Sequence, residues 1–321
     1  MSIVSRVFKG RPVAVAAAAG ALLYIPAAAW VVSFRVGKLA DKVREGIENN
    51  TEAPPDDPLV PGYRGDPGEA FDYPFDEVMI ATPLGDAPAW FVPGSCSTWA
   101  ITVHGLGGRR EEGLRHLSVF HPAGIPTLLI TYRNDDGAPA DPTGMYGFGL
   151  TEWRDLDAAV AYALAHGATN VILDGESMGG AIIGQFLTHS QHVDRVAALI
   201  LDCPAVDMLR IATDAVTQFR LPLPGPIARL GLGFADRRYP VPLGQARSLD
   251  TVAAFEKPLF LAHGDQDELV PITSSETLVA RRHAPTVFLR THAKHIHSWS
   301  ENPAQYRKWL KAFLATVLPS S

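Results

Sequence analysis

The chain has few cysteines and no excess of basic residues. Its 321 residues contain two cysteines, Cys96 and Cys203, and their placement resembles neither a metal site nor a redox motif. The formal net charge is −6 and no basic stripe opposes it, which argues against a nucleic-acid partner. The 47% apolar and 19% charged residues are typical of a globular protein. A core of this size needs no disulfide framework, so the cysteines leave the compartment open.

Charged residues are also missing from one long stretch, Val13 to Phe34. As a helix rising about 1.5 Å per residue, it is long enough to cross the hydrocarbon core of a membrane. We therefore predict a membrane anchor within residues 1–36. Two alternatives are open: a signal peptide cleaved after Ala27-Ala28-Ala29, although apolar residues continue past that point from Trp30, and a buried core helix. The short basic N-terminal tail favours placing the folded domain outside the cytoplasm.

The rest of the chain divides into a proline-rich linker, residues 37–70, and a folded domain, residues 71–321. Short apolar runs alternate with helical patterns in this domain, which predicts an α/β fold with a mostly parallel sheet. Residues 207–249 break the alternation, and we expect them to form a small helical cap that shapes an apolar pocket over the active site; an ordinary long connection is the alternative. The predicted strands are 75–81, 87–92, 99–103, 127–132, 170–173, 196–201, 259–262 and 286–290.

The most informative motif is Gly175-Glu176-Ser177-Met178-Gly179, between an apolar strand and an apolar helix. This arrangement is typical of a nucleophile elbow, a tight turn that exposes a serine to a base and to amide donors. The flanking glycines suit a turn in which backbone approaches backbone, because a Cβ would collide there. Ser177 is therefore the candidate nucleophile.

Two later segments supply an acid and a base in the order that such a serine requires. Asp265 and Asp267 follow an apolar strand, and a cluster of three histidines, His292, His295 and His297, follows the next strand. Ser, Asp, His is the chain order of an α/β-hydrolase triad. The residues alone do not separate Asp265 from Asp267. Zinc binding by the three histidines is the weaker interpretation, because no carboxylate or cysteine ligands accompany them.

These segments together resemble the α/β-hydrolase superfamily from about residue 74 to residue 317, most closely its bacterial lipase, esterase and monoacylglycerol-lipase-like members. The resemblance implies Asp267 as the triad acid and His295 as the base; Asp265 and Asp202 remain alternative acids. The chain has Glu176 where many relatives have His or Trp. The matching stretches are Val103–Gly108, Thr131–Asp135, Ser177–Gly180, His263–Asp267 with Val270-Pro271, and His295 ahead of Ser298-Trp299.

The negative oxygen of a tetrahedral intermediate needs preorganised donors, and the backbone amides of Met178 and Leu106 are the candidates for this oxyanion hole. We expect His104 to support the loop that carries Leu106. A carboxylate beside the nucleophile favours pairing with a basic group, since a buried unpaired charge is costly. For Glu176, Arg133 is one possible partner.

We therefore expect a serine hydrolase that cleaves carboxylic esters, in particular lipophilic acyl esters, through an acyl-serine intermediate, with no cofactor or metal. Its partners would be a small-molecule or lipid ester and the bacterial cell membrane, which the N-terminal helix would cross once. A thioesterase, an amidase or aminopeptidase, and an acyltransferase are open alternatives on the same triad. A non-enzymatic binding protein of the same fold is the alternative from another class.

Overall fold

An eight-stranded sheet runs through the part of the chain that the computed structural model describes, residues 24–34 and 53–318. Its spatial order is β1-β2-β4-β3-β5-β6-β7-β8. Strands β1 and β2 pair antiparallel, β2 pairs antiparallel with β4, and β3 to β8 are parallel. All eight predicted strands are confirmed. Their bounds are β1 Asp76–Thr82, β2 Gly85–Val92, β3 Thr98–Val103, β4 Thr127–Ile130, β5 Asn170–Glu176, β6 Val196–Asp202, β7 Leu259–Gly264 and β8 Thr286–Thr291.

Helices cover both faces of the sheet, which explains why strands such as β3 and β7 are buried along their whole length. Continuous apolar runs are stable there because each face buries side chains against a helical layer. The helices are α1 (24–34), α2 Pro67–Phe71, α3 Leu114–Phe120, α4 Trp153–Ala165, α5 Met178–His189, α6 Met208–Gln218, α7 Pro224–Arg238, α8 Leu249–Ala254, α9 Ile272–Arg281, α10 Ser298–Glu301 and α11 Pro303–Val317.

Helix α1 packs against helix α7 of the insertion between β6 and β7. Ala29 is fully buried, and the Trp30 ring lies 5.9 Å from the Phe234 ring. Gly231 permits the close approach, since an added Cβ would lie 3.1 Å from the carbonyl oxygen of Ala29. The remainder of the predicted membrane segment, residues 13–23, lies outside the described residues. Within residues 24–34 and 53–318, no helix is long and apolar enough to span a membrane.

The predicted linker is described from residue 53, and we call residues 53–64 the arm. Leu59 of the arm packs against a core cluster that includes Trp299, and Tyr63 packs against another that includes Trp90. The arm thus lies on the folded domain. Helices α6 and α7 confirm the predicted helical content of residues 207–249.

Candidate active site

Ser177 stands between the end of β5 and the start of α5, as the motif predicted. Its backbone has φ 51° and ψ −113°, a strained conformation for a residue with a side chain. The flanking glycines explain how the turn closes. A Cβ on Gly179 would lie 1.9 Å from the carbonyl oxygen of Val103, and one on Gly175 would lie 2.8 Å from the carbonyl carbon of Gly179. The turn therefore holds the serine where β3, β5 and α5 meet.

The structure brings Ser177, His295 and Asp267 into one hydrogen-bonded relay. The Ser177 Oγ lies 2.9 Å from His295 Nε2, and His295 Nδ1 lies 2.6 Å from Asp267 Oδ2. Asp267 also accepts hydrogen bonds from the backbone amides of Leu269 and Val270, at 2.9 and 2.8 Å. This arrangement can remove the proton from the serine hydroxyl and stabilise the imidazolium that forms.

Burial by itself raises the pKa of Asp267, but hydrogen bonds outweigh burial and hold that pKa well below its usual range. The donors are His263, His295 and the amide of Val270. His263 is fully buried, and its Nε2 lies 3.3 Å from Asp267 Oδ2. Asp267 is consequently ionised at neutral pH, as an orienting carboxylate must be.

The alternative acids make other contacts. Asp265 Oδ1 lies 2.7 Å from His292 Nδ1 on the surface, where the His292 side chain is 73% exposed. Asp202 accepts hydrogen bonds from Ser298 Oγ at 2.9 Å and from Tyr306 Oη at 3.3 Å. Neither carboxylate bonds to His295, so the geometry favours Asp267 among the three.

The two oxyanion candidates flank the nucleophile. Met178 is the first residue of α5, and the loop carrying Leu106 lies against the serine, since a Cβ on Gly105 would be 3.1 Å from Ser177 Cβ. Within the described part of the chain, neither the Leu106 nor the Met178 amide donates a hydrogen bond to another residue. Both amides can therefore serve a developing oxyanion.

His104 supports this loop, as expected. Its Nδ1 lies 2.9 Å from the carbonyl oxygen of Gly105, its Nε2 lies 2.9 Å from Asp135 Oδ2, and its ring stacks on Tyr132. Burial alone lowers the pKa of His104, but the charge and hydrogen bond of Asp135 overcome burial and raise it. A protonated imidazole can donate at both nitrogens and so fix the loop.

The partner of Glu176 is Arg115, and the suggestion of Arg133 was wrong. Arg133 is occupied by Asp155 and Asp141, at 2.8 and 3.0 Å. Arg115 is buried in α3, and it donates one guanidinium nitrogen to Glu176 and another to Glu112 at 2.6 Å.

One guanidinium thus serves two carboxylates beside the nucleophile. Burial raises the pKa of Glu176 to about 8; Arg115 opposes this rise, while Glu112 and Asp202 add to it. Sequence reasoning missed both Arg115 and Glu112. The signal in the sequence was an arginine whose neighbours in α3, Leu114 and Leu117, are core residues.

A cavity of about 550 Å³ opens in front of the serine. Ser177, Glu176 and His295 line it together with the loop of Leu106 and residues of the arm. Among the described residues that line this cavity, none belongs to residues 207–249. The arm, and not the helical insertion, lines this cavity among the described residues.

Within the described residues, one group has side-chain atoms close enough to share a metal ion: Cys203, Asp267 and His295, whose ligand atoms lie within 4.8 Å of one another. Asp267 and His295 already bond to each other, and burial raises the pKa of the Cys203 thiol well above its usual value. The thiol therefore keeps its proton, which disfavours it as a ligand. The three histidines do not converge, since His292 bonds to Asp265 instead.

Comparison with known proteins agrees with this arrangement. The prolyl oligopeptidase family matches residues 143–318, more than half of the chain. The uncharacterized protein YqkD of Bacillus subtilis is 26% identical over 227 residues, which cover 69% of this chain and 72% of that protein. An esterase from Pyrococcus furiosus has a TM-score of 0.61 at 18% identity, covering 83% of this chain and 98% of its own. A membrane phospholipase A, a bacterial virulence factor, has a TM-score of 0.51 at 19% identity, covering 98% and 99%. The fold is that of the α/β-hydrolases.

Proposed function

We propose that this chain, which belongs to the prolyl oligopeptidase family, hydrolyses carboxylic esters through an acyl-serine intermediate on Ser177. The observation that carries the proposal is the relay from Asp267 through His295 to Ser177, with contacts of 2.6 and 2.9 Å at the edge of an open cavity.

In the first half of the reaction, the Ser177 Oγ attacks the carbonyl carbon while His295 Nε2 takes the hydroxyl proton. The tetrahedral oxyanion accepts hydrogen bonds from the amides of Leu106 and Met178. The tetrahedral intermediate then collapses and breaks its bond to the alcohol oxygen, which takes the proton from His295. In the second half, a water molecule repeats these steps on the acyl-serine and releases the acid.

The lining of the cavity supports esters with an apolar acyl or alcohol group. Leu106 and Ile296 contribute apolar surface near the serine, and prolines of the arm extend it, while Arg64, Glu112 and Glu176 add charged groups to the same lining. Apolar walls with a few convergent polar groups are typical of small-molecule sites. We therefore propose lipophilic acyl esters as the substrates.

The family match favours a second candidate, the hydrolysis of peptide or aminoacyl amide bonds on the same serine. Glu176 gives this candidate a possible contact, because its carboxyl group lines the cavity and can accept a hydrogen bond from a substrate amine. The two candidates make opposite predictions for esters and amides of matched acyl groups.

Two measurements test these proposals. A fluorophosphonate probe should label the wild-type protein and fail to label Ser177→Ala, whereas no labelling of the folded wild type would point to a binding protein. Hydrolysis of p-nitrophenyl esters of graded acyl length should exceed that of aminoacyl anilides. A preference for anilides would replace the esterase proposal by the amidase.

We also propose that the chain resides in the bacterial cell membrane through its N-terminal segment, with the catalytic domain outside the cytoplasm. Trp30 and Val31, on the described end of that segment, are 51% and 57% exposed although apolar. The full chain should remain with membranes after carbonate extraction, and added protease should reach the catalytic domain in intact spheroplasts. A mature protein that begins at Trp30, detected by mass analysis, would contradict the anchor.

A further inference from the structure

The arm lines the same cavity as the nucleophile. Six residues of the arm contribute to the lining, three at the beginning of the arm and three near its end. These residues are Ala53, Pro54, Pro55, Pro61, Gly62 and Arg64.

Several contacts fix the arm in this position. Leu59 and Tyr63 are packed against two separate core clusters. Between them the backbone turns back on itself, with the Tyr63 amide donating to the carbonyl oxygen of Val60 at 3.3 Å. Prolines restrict the remaining backbone freedom, which lowers the entropic cost of holding the arm. The arm is therefore a fixed wall of the cavity.

One hydrogen bond joins this wall to the charged groups beside the nucleophile. The amide of Gly62 donates to Glu112 Oε1 at 3.1 Å, while Glu112 Oε2 accepts from Arg115 at 2.6 Å. Arg115 in turn donates to Glu176, the residue before Ser177. Glu112 thus contacts the arm with one oxygen and the ion pair of Glu176 with the other.

We propose that the arm sets the size of the acyl or alcohol group that the site accepts, and that Glu112 is the positioning residue that holds the arm. The inference rests on the proposed function and deepens it, because it assigns substrate selection to a segment that precedes the α/β domain. Because residues of the arm line this cavity of about 550 Å³, a larger side chain on the arm reduces the space that is left for a substrate group.

The first experiment adds volume to the arm at two positions in the full chain. Ala53→Trp places a large side chain at the lining, whereas Val60→Trp places the same side chain on the arm at a residue that is 37% exposed and does not line the cavity. For Ala53→Trp, the ratio of kcat/KM for p-nitrophenyl octanoate to that for the acetate should fall by about tenfold or more, as the loss of pocket length predicts. Val60→Trp should keep the wild-type ratio.

The second experiment tests Glu112. Glu112→Ala removes the acceptor of the Gly62 amide and should shift the octanoate-to-acetate ratio mainly through KM. Glu112→Gln keeps an acceptor oxygen and should restore that ratio toward the wild-type value. A folded Glu112→Gln that behaves like Glu112→Ala would overturn the positioning role.

Failure of the inference is distinguishable from failure of the proposed function. If the wild type hydrolyses no ester of any length, ester hydrolysis itself is refuted. If the wild type is active and Ala53→Trp leaves the ratio unchanged, or Val60→Trp changes it equally, the arm does not select the substrate.

Discussion

Replacing a glycine of the site by alanine should lower activity, and the loss should be largest where neighbouring backbone lies closest to the added methyl group. A Cβ at Gly179 would lie 1.9 Å from the carbonyl oxygen of Val103. An ordinary carbon–oxygen contact is about 3.3 Å, so α5 and the end of β3 would have to separate by about 1.4 Å. Because Val103 leads into the loop of Leu106 and Gly179 follows Met178, this movement separates the two oxyanion donors.

The magnitude follows from that displacement. A misplacement of about 1 Å at a reacting centre costs on the order of 100-fold in rate, and the loss of one oxyanion donor costs on the order of 100-fold to 1000-fold. We therefore expect Gly179→Ala to lower kcat for a short ester by about 100-fold or more. Overpacking of this kind also costs about 1 to 3 kcal/mol of stability, so the variant should melt at a lower temperature.

Substitutions at two other glycines serve as controls for Gly179→Ala. A Cβ at Gly105 would meet Ser177 Cβ at 3.1 Å, a contact that a small adjustment relieves, whereas one at Gly225 in α7 would meet nothing within 4 Å. We expect Gly225→Ala to have the kcat of the wild type, Gly105→Ala to have a lower kcat and Gly179→Ala to have the lowest. Thermal melts show which variants are folded. A folded Gly179→Ala with wild-type kcat, or a reversal of this order, would refute the reasoning.

Three further predictions concern charged residues of the site, and the first two include a control substitution. Asp267→Asn should lower kcat by about 10⁴-fold because the imidazole loses its orienting anion, whereas Asp265→Asn should stay near wild type; steady-state kinetics that show the reverse would exchange their roles. Arg115→Met should cost about 3 to 5 kcal/mol in urea unfolding, since it leaves buried carboxylates without a cation, whereas Arg109→Met, whose pair is exposed, should cost less than about 1 kcal/mol. Folding raises the pKa of Glu176 from 4.5 to about 8, so its contribution to stability is present below pH 4.5 and declines as the pH rises toward 8. As the pH rises from 5 to 9, the melting temperature of the wild type should therefore fall relative to that of Glu176→Gln. Melting temperatures that keep a constant difference over this range would contradict the raised pKa of Glu176.

The strands and the elbow could be predicted from the sequence because their signals are local. Buried parallel strands need continuous apolar runs, and the turn at Ser177 needs small neighbours on both sides. Asp267 and His295 each follow a strand of the parallel sheet, so the topology brings them to the same edge as the serine. The choice between Asp265 and Asp267 needed coordinates, since both acids lie in one loop and only the direction of their side chains differs.

The partner of Glu176 and the role of the arm could not be predicted in the same way. Arg115 precedes Glu176 by 61 residues, and no periodicity relates an arginine in α3 to the end of β5. The arm has no regular structure, so its composition indicated a linker, and the burial of Leu59 and Tyr63 depends on surfaces that other segments provide. The apolar insertion at 207–249 was the more conspicuous candidate for the pocket. Its apolar residues include Leu232, which is buried in the principal core cluster.

The surroundings of Asp267 and Glu176 shift the pKa values of these two carboxylates in opposite directions. Asp267 has several donors, and its pKa is lowered despite burial, so it remains anionic and can stabilise a positively charged His295. Burial raises the pKa of Glu176 to about 8, and Arg115, which also serves Glu112, only partly opposes this rise. A second anion beside Ser177 would oppose the oxyanion that forms there, so a pKa of Glu176 that burial raises favours the step in which the oxyanion forms.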